Sequence, residues 1–181
     1  MKKKQKISNY ALKNYLLIRK NIYKAIKYFS NTFNFKNKKL LEIAPQIHKD
    51  SNNLFKKSKK YTLDIDENSK ADFILDICKN NKEKIKNNYF DFILCAEVLE
   101  HTLNPFKAIK EMHRILKKNG YILITTPFDF RIHGPLPDCW RFTEYGIKSM
   151  LNQFEIIYIK PLENKKRFLM PIHYVTLAKK K

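Results

Sequence analysis

The chain has 181 residues, a formal net charge of +20 and three glycines. That length suits one domain burying roughly two thirds of its unfolded surface, and no apolar run approaches the ~20 residues that span a bilayer. Cys78, Cys95 and Cys139 are an odd number without metal-like spacing, so a reduced, cytoplasmic protein is expected, with neither a disulfide framework nor a metal site.

The first residues, MKKKQK, look like the basic start of a signal peptide, but Asn14, Arg19, Lys20, Asn21 and Lys24 interrupt the apolar stretch that should follow. From Asn9 to Phe29, apolar residues recur at Tyr15, Ile18, Ile22, Ala25, Ile26 and Phe29 with lysines between. This spacing predicts a helix docked by one stripe, within a basic segment over 1–36 that precedes the main domain over 37–181.

Strand and helix patterns then alternate. Lys39–Ala44 reads as a first strand, Gln46–Lys57 as a short helix, Tyr61–Ile65 as a second strand and Asp72–Leu75 as a short third. Residues 79–88 are polar with a weak helical pattern. Phe90–Cys95 is almost wholly apolar, as in a strand buried on both faces. Asn104 and Pro105 announce a helix running to Lys117 and ended by Asn119 and Gly120. Tyr121–Thr126 is a fifth strand, Thr143 caps a helix to Leu151, and Phe154–Ile159 and Ile172–Ala178 are two closing strands. The alternation predicts an α/β fold: a doubly wound, mainly parallel seven-stranded sheet, with helices on both faces and one edge strand antiparallel.

Ligands of such sheets bind beyond the carboxyl ends of the strands. A nucleoside there needs an open backbone turn after the first strand, an acid after the second for the ribose hydroxyls, and a polar group after the third for the base. Asp64 follows the first turn by about twenty residues, the expected interval, with Ile65 beside it and Asp66 as an alternative. Asp76, with Ile77, ends the third strand. The buried fourth strand opens onto Glu97, Glu100 and His101.

Three stretches, FDFILCAEVLEH, LKKNGYILITTPF and RIHGPLPDCWRFT, resemble class I S-adenosylmethionine-dependent methyltransferases, the last a type 11-like bacterial subgroup linked to surface polysaccharide or small-metabolite pathways. The resemblance implies S-adenosyl-L-methionine as cofactor. It places the cofactor's amino group at Glu42, its ribose at Asp64 and its adenine at Asp76 and Ile77. Ile65, Cys95 and Glu97 line the same site. The family's first turn carries Gly-x-Gly, whereas this chain has Ala44, Pro45 and Gln46. Glycine suits a backbone that passes close to a ligand or needs positive φ, and proline has fixed φ and no N–H. Either the turn folds differently and still holds the cofactor, or the domain is a catalytically silent partner subunit.

His101 is the candidate base, with a turn-holding role equally open; Glu100 either orients it or faces solvent. The long loop after the fifth strand gathers His133, Asp138, Trp140 and Arg141 as a wall for a small polar acceptor, such as a saccharide or its nucleotide-linked precursor. In the alternative, Trp140 plugs the core and Arg141 pairs with Asp138. The charge permits a nucleic-acid methyltransferase or binder. However, abundant lysine and asparagine with scarce glycine fit a genome poor in G and C, so no specific nucleic-acid partner is expected. Lysine density before the first acid, Glu42, leaves a weak contact of the N-terminal segment with an anionic surface open.

Overall fold

The computed structural model describes residues 7–45 and 54–181; Gln46 and most of the helix expected over 46–57 lie outside them. Seven strands form one sheet: β1 (Lys39–Ile43), β2 (Lys59–Asp64), β3 (Phe73–Ile74), β4 (Phe90–Ala96), β5 (Leu116–Pro127), β6 (Phe154–Leu162) and β7 (His173–Lys180). Their order is β3-β2-β1-β4-β5-β7-β6. The first five run parallel. β7 runs antiparallel between β5 and β6, so the reversal falls at the edge formed by the closing hairpin.

Side chains of β4 alternate between two cores. Ile93 and Cys95 join one, Phe92, Leu94 and Ala96 the other. A bulge between Phe90 and Phe92 switches the pleat, which puts Phe90 with Ile93. Helix α1 (Asn9–Phe33) is capped by the Ser8 hydroxyl and covers the second face with Ile18, Ile22, Ile26 and Phe29. Lys13, Lys20, Lys24 and Lys27 stay exposed on its outer side. Tyr15, expected on the buried stripe, is exposed instead and lies against Phe130.

On the opposite face, α2 (Pro105–Ile115) buries Ala108, Ile109, Met112 and Ile115, and α3 (Glu144–Met150) buries Ile147 and Met150. The Asn104 and Thr143 side chains accept from Lys107 N and Gly146 N, as the sequence anticipates at both caps. Helix α2 ends at Ile115, two residues before the expected Lys117. Lys180 Nζ reaches the His113 and Leu116 carbonyls at 2.7 and 2.8 Å, taking up carbonyls of that helix end.

At Asn119 and Gly120 the left-handed residue is Asn119, with φ of 61°. Gly120 is required by space: a Cβ there would lie 2.8 Å from the Lys117 carbonyl and 2.9 Å from that of Asp91. The stretch 79–88 forms turns, not the weakly patterned helix. Its asparagines compete for the backbone: Asn81 Nδ2 donates to the Asp76 and Lys79 carbonyls, and Asn80 accepts from Lys82 N.

Candidate active site

A cavity of about 340 Å³ opens where the strand order reverses between β1 and β4, the usual ligand position of a doubly wound sheet. Its size lies in the range of small-molecule sites, roughly 300–1,000 Å³. Ala44, Asp64, Ile65, Asp76, Ile77, Glu97 and His101, seven residues singled out from the sequence, share its lining. Asp64 stands at the end of β2, where one of its oxygens accepts the Asp66 amide at 3.0 Å. Asp76 lies just beyond β3 and accepts the Cys78 amide at 2.8 Å.

The glycine-free turn keeps a glycine-like backbone. Ala44 has φ of 50°, the left-handed region that a methyl side chain enters at a cost of roughly 1–2 kcal/mol. Its amide is held by the Leu63 carbonyl at 2.8 Å. Pro45 is half-buried and is not among the residues lining the cavity. A nucleoside cofactor therefore fits the residues present: two carboxylates at neighbouring strand ends, an apolar floor, and a backbone turn that leaves the hollow open.

Glu97 also takes a positive φ, 56°, and is buried. Its Oε1 accepts from Thr125 Oγ1 at 3.0 Å and from His173 Nε2 at 2.9 Å. Burial pushes this carboxyl up, but the His173 imidazole and the Thr125 hydroxyl outweigh it and hold Glu97 below the ordinary value. His173 carried no sequence signal. Only the antiparallel pairing that sets it opposite Pro127, at the carboxyl end of β5, brings it here.

Several expected residues sit elsewhere. Glu42 is buried and paired with Lys60, and Cys95 is enclosed in the core, where burial pushes its thiol up; neither lines the cavity. The loop reaches the cavity through Pro135, Leu136 and Pro137, not through its polar residues. Arg141 grips Asp138 with two bonds of 2.6 and 2.7 Å and donates to the Phe130 and Arg131 carbonyls. Burial would raise the Asp138 carboxyl, yet this pairing holds it far below the usual range. Trp140 donates to the Thr102 carbonyl at 2.7 Å and stacks on Phe142. Of the two readings of this loop, the pairing of Arg141 with Asp138 is realised, whereas Trp140 is 39% exposed and plugs no core.

Glu100 is wholly buried, against the solvent-facing alternative, and neither carboxylate oxygen has a hydrogen-bond partner among the described residues. Burial and the nearby Glu97 charge keep its carboxyl well above the ordinary value. His101 Nδ1 lies 3.0 Å from the Pro137 carbonyl, while its Nε2 is buried, 3.8 Å from Glu100 Oε1.

These features define a doubly wound domain with a nucleoside-type cavity at its switch point. Residues 15–157 match a family described as a methyltransferase domain, and the chain belongs to that family. Its family and fold are those of the class I S-adenosylmethionine-dependent methyltransferases, and S-adenosyl-L-methionine is the cofactor of that class. A methyltransferase structure from Aquifex aeolicus superimposes with TM-score 0.62 at 17% identity, over 90% of this chain and 98% of that one. The 1,6-didemethyltoxoflavin-N1-methyltransferase of Burkholderia thailandensis, with bound 1,6-didemethyltoxoflavin and S-adenosylhomocysteine, superimposes with TM-score 0.65 at 14% identity, over 88% and 78%. Among curated relatives, a ubiquinone biosynthesis O-methyltransferase from Glaesserella parasuis is 40% identical over 55 residues, 30% of this chain and 21% of that protein. Probable polyketide synthase 10 of Dictyostelium discoideum is 31% identical over 72 residues, 38% of this chain and 3% of that protein. The match thus spans a small part of these curated relatives. No described helix is long and apolar enough to cross a membrane.

Proposed function

We propose that this chain transfers a methyl group from S-adenosyl-L-methionine to a small-molecule acceptor that carries an apolar face. The observation that carries this reading is the shared lining of one cavity by Asp64, Asp76, Ala44 and Glu97. In it, Asp64 accepts from the ribose hydroxyls, and Asp76 accepts from the adenine amino group beside Ile77. Glu97 borders the cavity at the end of β4. The cofactor, once bound, supplies an already activated sulfonium methyl, so the protein's share is positioning and handling of the acceptor's proton.

The acceptor would enter over Leu103, Pro135, Leu136 and Pro137. Leu103 and Leu136 are 78% and 75% exposed, which favours an acceptor with apolar surface next to the methylated atom. A bare saccharide fits less well, because Asp138 and Arg141 are spent on each other and on the backbone. His101 is the imidazole on this wall. Its Nε2 faces Glu100, so we assign it a role within that buried group, not as an isolated base.

Calorimetric titration with S-adenosyl-L-methionine tests the first half; heat at a stoichiometry of one is expected, and none at millimolar cofactor would reject it. Release of S-adenosylhomocysteine, read across hydroxylated aromatics and nucleotide sugars, tests the second half. Turnover confined to the sugars would overturn the apolar-face assignment.

A further inference from the structure

Glu100 and His101, in a short 3-10 helix after β4, meet His133 of the loop after β5, more than thirty residues away in sequence. One ligand-type atom from each lies within 4.8 Å of the other two. Glu100 Oε1 is 3.8 Å from His101 Nε2 and 4.0 Å from His133 Nε2, and the two imidazoles meet edge to face, centroids 4.8 Å apart. None of these separations is a hydrogen bond.

The tautomers are set from behind. The Pro137 carbonyl, 3.0 Å from His101 Nδ1, can only accept, so that nitrogen carries the proton and Nε2 presents a lone pair. Asp138 Oδ2 does the same for His133 Nδ1 at 3.0 Å and also accepts the His133 amide at 2.9 Å. Asp138 is in turn fixed by the two bonds from Arg141. Two imidazole lone pairs and the Glu100 carboxyl group thus converge on one point; a cation bound there would displace the proton that burial favours on that carboxyl. Glu100 is 0% exposed, and among the described residues neither of its oxygens nor the buried His101 Nε2 has a hydrogen-bond partner. Such a group is costly to bury unless something satisfies it.

We propose that Glu100, His101 and His133 form a binding site for one divalent transition-metal cation, with Pro137 and Asp138 orienting the two histidines. Ligands at about 2.0–2.2 Å from zinc stand roughly 3.5 Å apart in tetrahedral geometry, so side-chain shifts of less than about an ångström close the site. A carboxylate or carbonyl behind each ligating imidazole is the arrangement that fixes such rings, and two nitrogens with one carboxylate suit zinc, iron or manganese. Three protein ligands leave a position open. His101 also lines the cavity, so the cation would stand at the acceptor wall. A hydroxyl bound to it would lose its proton to water more readily. The inference deepens the proposed acceptor site, yet the cation site is testable without any turnover.

The test is calorimetric titration of chelator-treated protein with zinc chloride, alongside a separate titration with S-adenosyl-L-methionine and the visible spectrum after cobalt(II) loading. Expected are one zinc per chain, a cobalt ligand-field band, and at least tenfold weaker zinc binding in His133→Ala and in Glu100→Gln. Asp138→Asn should weaken it about tenfold or more. His113→Ala, removing a half-buried histidine outside the group, should bind zinc as the parent does. Glu100→Gln keeps the side-chain shape, and decides the matter if His133→Ala does not fold. Absence of zinc binding by the parent, or zinc binding unchanged in Glu100→Gln, overturns the proposal. Cofactor heat with no zinc heat rejects the metal site alone; zinc heat with no cofactor heat rejects only the methyl-transfer reading.

Discussion

His173 Nε2 donates to Glu97 Oε1 at 2.9 Å, joining the start of β7 to the end of β4 beneath the cavity. Asn21 Nδ2 of α1 donates to the other ring nitrogen, His173 Nδ1, at 3.0 Å, so the first helix reaches the cavity through two hydrogen bonds. Among the described residues, His173→Ala leaves the buried Glu97 carboxylate with Thr125 as its hydrogen-bonded side-chain partner. Loss of a hydrogen bond to a buried charge, with the void left by the ring, should cost about 3 kcal/mol and weaken cofactor binding. Asn21→Ala should cost only about 1 kcal/mol. Urea unfolding of the two variants checks the order; equal losses would mean that Glu97 does not depend on His173.

Asp64→Ala should weaken S-adenosyl-L-methionine binding by at least about a hundredfold, because a carboxylate accepting from two hydroxyls provides two charge-assisted hydrogen bonds of about 1.5–3 kcal/mol each. Asp76→Ala, which removes a single such bond, should lose about tenfold or somewhat more. Calorimetry on both variants gives the comparison. Unaltered affinity in Asp64→Ala would put the ribose elsewhere.

The seven strands along the chain and the acids at the strand ends were legible because each follows from local pattern: an apolar run, a turn, then a carboxylate where the run stops. Residues whose role depends on pairing between distant segments were not. His173 is an unremarkable strand residue until antiparallel pairing sets it opposite Pro127. Likewise, His133 and Glu100 gain meaning only when the loop after β5 folds back, with Cys139 and Trp140 amides on the Glu100 carbonyl. The loop's polar residues invited a substrate role by composition. Arg141, with five donors in a fixed fork, was consumed by a carboxylate three residues away and by nearby carbonyls. Proximity in sequence favoured that outcome.

The turn after β1 makes a further prediction. Ala44 holds φ of 50°, so Ala44→Gly removes a strain of roughly 1–2 kcal/mol. The more flexible unfolded chain offsets about 0.4–1 kcal/mol of this. A net stabilisation between zero and about 1.6 kcal/mol is expected, with cofactor affinity kept or improved. Ala44→Val should destabilise by more than 1 kcal/mol, since a β-branched residue tolerates that backbone poorly. Denaturant midpoints decide it; a destabilised glycine variant would show that the methyl group contributes packing that outweighs the strain.

At the amino ends of the central strands β1 and β4, Asp91 gathers the Lys39 amide at 3.0 Å and the Lys38 and Lys117 ammonium groups at 3.2 and 3.0 Å. Burial pushes its carboxyl up, but the amide and the two cations outweigh it and hold Asp91 below the ordinary value. The folded state therefore binds this proton less readily than the unfolded chain, whose aspartates titrate near about 3.9. The resulting stability is fully present above that pH and is lost as pH falls through the lower, folded value. Asp91→Asn should cost about 1–2 kcal/mol at neutral pH. Its deficit should shrink progressively once the pH falls below about 4. Thermal unfolding of parent and variant across that range tests the sign: a deficit that stays constant into strong acid would show that Asp91 acts through the shape of its hydrogen bonds and not through its charge.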